Sequence, residues 1–253
     1  MALVRTDIDD QLLGILTQRP GSGPRTVAEV MATLEAIHGV LPDDDGLKWF
    51  NWQYWVVTKS VEDTISSPGG GGITWNNPDW LKRLDVVFAG LYLDALRTEL
   101  QGGVPSKCWQ VLFNARQDDR LARVQLALAG INAHIAHDLA LALVKTCEGL
   151  GVELTHGTAE YQDFTRVNGL LESLIAESRK ELMVMLPGDE IPDLVALENH
   201  LAGVGITVSR EGAWVSGEVL WRTRAVPFFA DRFVAGLDDA AKAVELLILI
   251  PLR

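Results

Sequence analysis

LARVQLALAGINAHIAHDLALALVKTC, residues 121–147, is the stretch on which the fold turns. From Val124 to Val144 it is apolar almost all the way round a helix, with Asn132, His134, His137 and Asp138 near its middle. A helix that is apolar on every side has to be surrounded, by protein or by lipid. Three titratable groups at its centre argue against lipid, because each costs several kcal/mol at bilayer depth. The stretch therefore predicts the buried central helix of an all-α, single-domain bundle of about ten helices, with a polar cluster carried into the core.

The rest of the chain supports that reading. Its 253 residues are 48% apolar and 22% charged, which suits a globular domain with a sizeable core. A net charge of −12 and a pI near 4.8 repel phosphate backbones and anionic lipid, so neither nucleic acid nor a membrane is expected as a partner. Cys108 and Cys147 fit neither a disulfide framework nor a zinc knuckle, and read as buried thiols. The opening MALVRTDIDDQLLG turns acidic too soon for a signal peptide, so a cytoplasmic location is expected.

Helices are predicted over 6–18, from a Thr26 cap to about His38, and over an aromatic run from 46 to 65 in which Trp49, Phe50, Trp52, Tyr54 and Trp55 crowd together. Pro78 opens a long helix carrying Asp85 and Tyr92, and SKCWQVLFNAR makes a short one before the central helix. Another long helix runs from about Thr158 to Met185, and a short one from Pro192 to Leu201. ITVS after Gly205 suits either an extended segment or a helix, and ELLILI near the end suits a helix or a buried strand. The glycine run after Ser67 lacks the lysine of a phosphate loop. Residues 187–205 are the one candidate sub-boundary and read as a connection inside a single domain 1–253.

His134, His137 and Asp138 fall within a 100° sector at 100° per residue. That spacing suits an imidazole held in one tautomer by a carboxylate and working as a general acid or base. It also suits two or three ligands of a divalent metal such as zinc or iron, with others from neighbouring helices, and a buried network that fixes packing. Asp85, Tyr92, Asp163 and Asn168 are candidate partners on helices expected to abut the central one. Glu35 and His38 form one ExxH without a second, which weakens a di-iron reading. No GxSxG, P-loop or Rossmann fingerprint is present.

Four blocks taken together, DGLKWFNWQYWVVTKSV (45–61), PDWLKRLDVVFAGLYLDAL (78–96), AGINAHIAHDLALAL (129–143) and EYQDFTRVNGLL (160–171), resemble an uncharacterised bacterial domain family of unknown function, common in actinobacteria. Its NAHIxxDL-type block matches here at Asn132, His134, Ile135, Asp138 and Leu139. The resemblance implies a helical fold, brings no activity, and favours the His134–Asp138 pair over the triplet with His137. The expected function is an enzyme acting on a small apolar molecule between helices, by cyclisation, isomerisation or elimination, without a cofactor. His134, oriented by Asp138, is the expected acid/base, with Tyr92 and Asp163 assisting. Trp49, Trp52, Tyr54, Trp55, Asn132, His137 and Asn168 are expected to line the substrate site. A metal-dependent hydrolase or oxygenase with His134, His137 and Asp138 as ligands, and a non-catalytic scaffold, are the alternatives. A homodimer is compatible with either.

Overall fold

The computed structural model describes residues 6–17, 23–67, 73–184 and 205–251. Among these residues the secondary structure is helical, with no strand. The helices are α1 (Asp7–Thr17), α2 (Val27–Val40), α3 (Leu47–Ser66), α4 (Pro78–Leu100), α5 (Lys107–Ala115), α6 (Arg123–Ala133), α7 (Leu139–Leu150), α8 (Ala159–Val184), α9 (Ile206–Thr223) and α10 (Pro227–Ile248). The glycine run at 68–72, the LPGDEIP break, the short helix expected over 192–201 and most of the sub-boundary at 187–205 lie outside the described residues.

A π-helical turn, His134–Asp138, joins α6 to α7 end to end. Its mark is the Leu139 N–H, which donates to the His134 carbonyl five residues back. The even 100° step expected across the central helix therefore fails at the residues on which the functional reading rests. The joined helix runs Arg123–Leu150 and stops at Gly151, whose φ of 66° is the left-handed cap that favours glycine. Among the described residues it alone is long and apolar enough to cross a membrane, yet 61% of its most apolar window is buried by protein. At its start Gln125 Nε2 donates to the Ile248 and Ile250 carbonyls, tying it to the end of α10 at 2.7 and 2.8 Å.

Local signals explain most helix boundaries. Thr26 Oγ1 accepts the Glu29 N–H at the head of α2, while the Glu29 carboxylate reaches back to the Arg25 N–H. Asn77 caps α4 through the Trp80 N–H, with Pro78 in the first turn. The head of α5 is capped from far along the chain: Asp238 of α10 accepts the Lys107 and Cys108 N–H groups, both at 2.9 Å. ITVS and ELLILI are both helical, in α9 and α10. ELLILI keeps one polar residue, Glu245, on its buried side.

Among the described residues two large apolar clusters make most of the core. The first gathers α1, α2, α5 and α6 with parts of α3, α4 and α10, and the second gathers α7, α8 and α9 with the remaining parts of α3 and α4. Phe88 and Ile131 pack against both, so the π turn sits at their seam. α6 lies close on α3 at Gly130, where a Cβ would come within 2.4 Å of the Phe50 ring. Gly130→Ala is expected to cost about 1–3 kcal/mol by overpacking, read as a lower urea midpoint. An unchanged midpoint would show that Phe50 gives way freely.

Candidate functional site

The π turn brings His134 and His137 to opposite oxygens of one carboxylate. His134 Nδ1 meets Asp138 Oδ2 at 3.0 Å, and His137 Nδ1 meets Asp138 Oδ1 at 2.8 Å. A third donor, Trp109 Nε1 of α5, reaches Oδ2 at 2.9 Å. His134, His137 and Asp138 are all buried, His134 to 3% exposure and Asp138 to 2%. Burial pushes the Asp138 carboxyl up, but the hydrogen bonds from His134 and His137 outweigh it and hold the group below its ordinary range. Burial takes His134 the other way, below the usual imidazole range, against the pull of Asp138. The pair is thus a carboxylate beside a neutral imidazole whose Nδ1–H is committed to it.

The imidazole of His134 is enclosed by aromatic rings. Phe88 of α4 stacks on the imidazole at 3.5 Å between centroids and 3° between planes. Tyr54 meets it edge-on at 4.7 Å, and Phe50, Trp109 and Tyr92 lie at 5.8, 5.9 and 6.3 Å. Within this enclosure His134 Nε2 is sealed from solvent and has no hydrogen-bond partner. Among the other buried polar atoms without one are Tyr54 Oη, on a ring that meets His134 and with Thr58 as its polar neighbour, and Asp85 Oδ2. Asp85 stands one turn before Phe88 on α4, and Thr58, one turn after Tyr54 on α3, donates to Asp85 Oδ1 at 3.4 Å. Asp85 is half-buried as a residue, but burial of its carboxyl end pushes it up to about 7. Burial, reinforced by the charges of Asp85 and Asp138, raises the Tyr54 phenol well above its ordinary range.

A second polar group lies beyond His137. Asn132 Nδ2 donates to the Ala241 carbonyl at 2.9 Å and to Glu245 Oε1 at 3.3 Å, so Asn132 fastens α6 to α10. Glu245 is fully buried, its Oε2 has no partner, and burial pushes its carboxyl up to about 9, helped by the charges of Asp238 and Asp138. A single acid in the apolar run ELLILI was the sequence signal for it.

Other expected site residues go elsewhere. Trp49 packs with Ala127 and Trp52 under the Arg123 guanidinium, and Trp55 lies against the first core, so the aromatic run divides and sends Phe50 and Tyr54 to His134. Tyr92 lends its ring, but its hydroxyl donates to Asn51 Oδ1 at 3.4 Å. Asp163 accepts the Asn76 and Asn77 N–H groups before α4 and pairs with Arg166 at 2.7 Å, and no hydrogen bond joins it to His134 or Asp138. Asn168 accepts from the buried Arg210 at 2.7 Å. His156, in the loop after α7, is held between Glu218 at 2.6 Å and Glu211 at 2.8 Å and ties that loop to α9. Both imidazoles of the π turn spend Nδ1 on Asp138 rather than pointing with it at a common ion. Among the described residues no three His, Cys, Asp or Glu side chains are grouped to hold a metal.

Phe88 and Trp109 were not anticipated. Phe88 had a legible signal, since Asp85, Phe88 and Tyr92 recur at helical spacing along one face of α4. Trp109 had none, because its approach to Asp138 is fixed by how α5 docks. Residues 27–251 match DUF5995, described as a family of unknown function. No curated protein and no solved structure matches the chain.

Proposed function

Because the chain belongs to DUF5995, a family that carries no assigned activity, we propose from the site itself that His134 is the general acid/base of an enzyme acting on a small, largely apolar molecule. The observation that carries this is His134 Nε2, a buried basic nitrogen with no partner, on a ring whose other nitrogen is fixed by Asp138. Leaving such an atom unsatisfied costs about 1–3 kcal/mol. A ligand proton supplied at that atom removes the cost. Asp138 holds the proton on Nδ1, so that Nε2 keeps its lone pair, and stabilises the imidazolium once a proton arrives. The surrounding rings exclude water and accept an apolar body.

Cyclisation, isomerisation and elimination all suit this equipment, because each moves protons without needing a nucleophile from the protein. Solvent deuterium exchange tests the reading without knowledge of the product. Wild-type protein is incubated in D2O with a panel of apolar compounds bearing an acidic C–H bond, and label is read by mass spectrometry. His134→Gln, its fold checked by circular dichroism, is expected to slow exchange by about 10²-fold or more. A variant exchanging at the wild-type rate would remove His134 as the base.

A further inference from the structure

Resting on His134 as that base, we propose that Tyr54 and Asp85 form the oxyanion-binding half of the same site, and that its substrate is an enolisable carbonyl compound with a flat, apolar body. Three elements around Phe88 each carry one buried polar atom without a hydrogen bond: Nε2 of His134 in the π turn, Oη of Tyr54 on α3, and Oδ2 of Asp85 on α4. Phe88 stacks on His134, its ring is 5.9 Å from that of Tyr54, and it follows Asp85 by one helical turn. Thr58 donates to Asp85 Oδ1, which leaves Oδ2 as the oxygen free to carry a proton. The three atoms divide into one acceptor, the imidazole lone pair, and two hydroxyl-type donors.

One acceptor and two donors match a C–H beside a carbonyl. The C–H bond breaks and its proton passes to His134 Nε2. The electron pair forms the new carbon–carbon double bond, and the carbonyl π electrons move to oxygen, where Tyr54 and Asp85 donate. Return of the same proton from His134 to a different carbon of a conjugated enolate completes an isomerisation, with no oxidant or reductant consumed. Two donors preset around a developing oxyanion are the usual large contribution to such a step. Paired groups whose surroundings drive one toward base and the other toward neutral acid are the signature of assigned proton roles. Asp85, pushed by burial to about 7, fits the second role, and His134, depressed by burial, fits the first.

The probe is 2-naphthol, a flat phenol whose fluorescence distinguishes the neutral form from the naphtholate and whose oxygen stands in for the enolate. Wild-type protein is expected to bind it and shift it toward naphtholate. Tyr54→Phe and Asp85→Ala are each expected to weaken that binding about tenfold or more, while Asp85→Asn, which keeps a donor in place, recovers most of it. Failure of the wild-type protein to bind 2-naphthol overturns the inference, as does unchanged binding in both Tyr54→Phe and Asp85→Ala. If His134→Gln loses deuterium exchange while those two variants keep wild-type exchange and naphthol binding, the base stands and the oxyanion assignment falls. If His134→Gln exchanges like wild type, the acid–base reading falls and this inference with it.

Discussion

Asp138→Ala is expected to destabilise the fold by about 3–5 kcal/mol, the range for deleting one partner of a buried charged network. Its carboxylate is the shared acceptor for His134, His137 and Trp109, all buried, and the bonds run between 2.8 and 3.0 Å. Removing it leaves three donors without an acceptor, at about 1–3 kcal/mol each before the neighbours relax. It also cuts the link between α5 and the π turn. The measurement is the urea midpoint at constant slope. A midpoint within about 0.5 kcal/mol of wild type, the ordinary scatter of surface substitutions, would mean that the three donors find other acceptors. The stability readout is separate from the exchange readout for His134, so anchoring and chemistry can be told apart at neighbouring residues.

The second large effect is a pH dependence set by Glu245. Its carboxyl rises from an ordinary 4.5 to about 9 in the folded protein, so the folded state holds a proton that the unfolded chain releases. For a group raised in this way, the stabilising contribution is complete below about 4.5 and is lost as pH rises through about 9. Stability should therefore fall by about 1.4 kcal/mol per pH unit across that window. Asp85 adds a slope of the same sign only up to about 7. His156 is raised too, first by its bond to Glu211, but its side chain is 41% exposed and solvent screens it. Between pH 7 and 9 the slope thus belongs mainly to Glu245. Glu245→Gln is expected to flatten it and to raise stability at pH 8 by about 3–5 kcal/mol. A variant with the wild-type slope over that interval would show that Glu245 is ionised in the folded state.

How far the sequence carried can be seen residue by residue. The central helix was legible because almost no polar residue interrupts it, and a fully apolar helix has few places to go. Thr26 and Pro78 announced helix starts through signals that act within a few residues. Asp163 looked like a catalytic candidate because its partners, Asn76 and Asn77, lie more than eighty positions away, and nothing local shows that its carboxylate is occupied. The helix carrying Tyr92 does pack against the central one, as expected, but the direction of the Tyr92 hydroxyl depends on Asn51 of another element. The aromatic run of α3 could not be divided beforehand into Trp49 and Trp52 on one side and Phe50 and Tyr54 on another. That division waits on where α4 and α6 pack. The π turn left no residue-type signature, so the expected His134–His137–Asp138 sector was reached by a step angle that the backbone does not keep.

That turn also sets the phase of everything after it. One residue more than an α-helix requires is taken up between Ala133 and Leu139, and the chain continues along the same axis with its faces rotated. α6 presents its stripe to α3 and α10, and α7 presents its own to α4 and α9. The register between the two halves of the bundle is consequently stored in a single backbone irregularity rather than in any loop. Deleting one residue there would restore a perfect helix and put the downstream half out of step with its neighbours, while any substitution that keeps the count would leave that register intact.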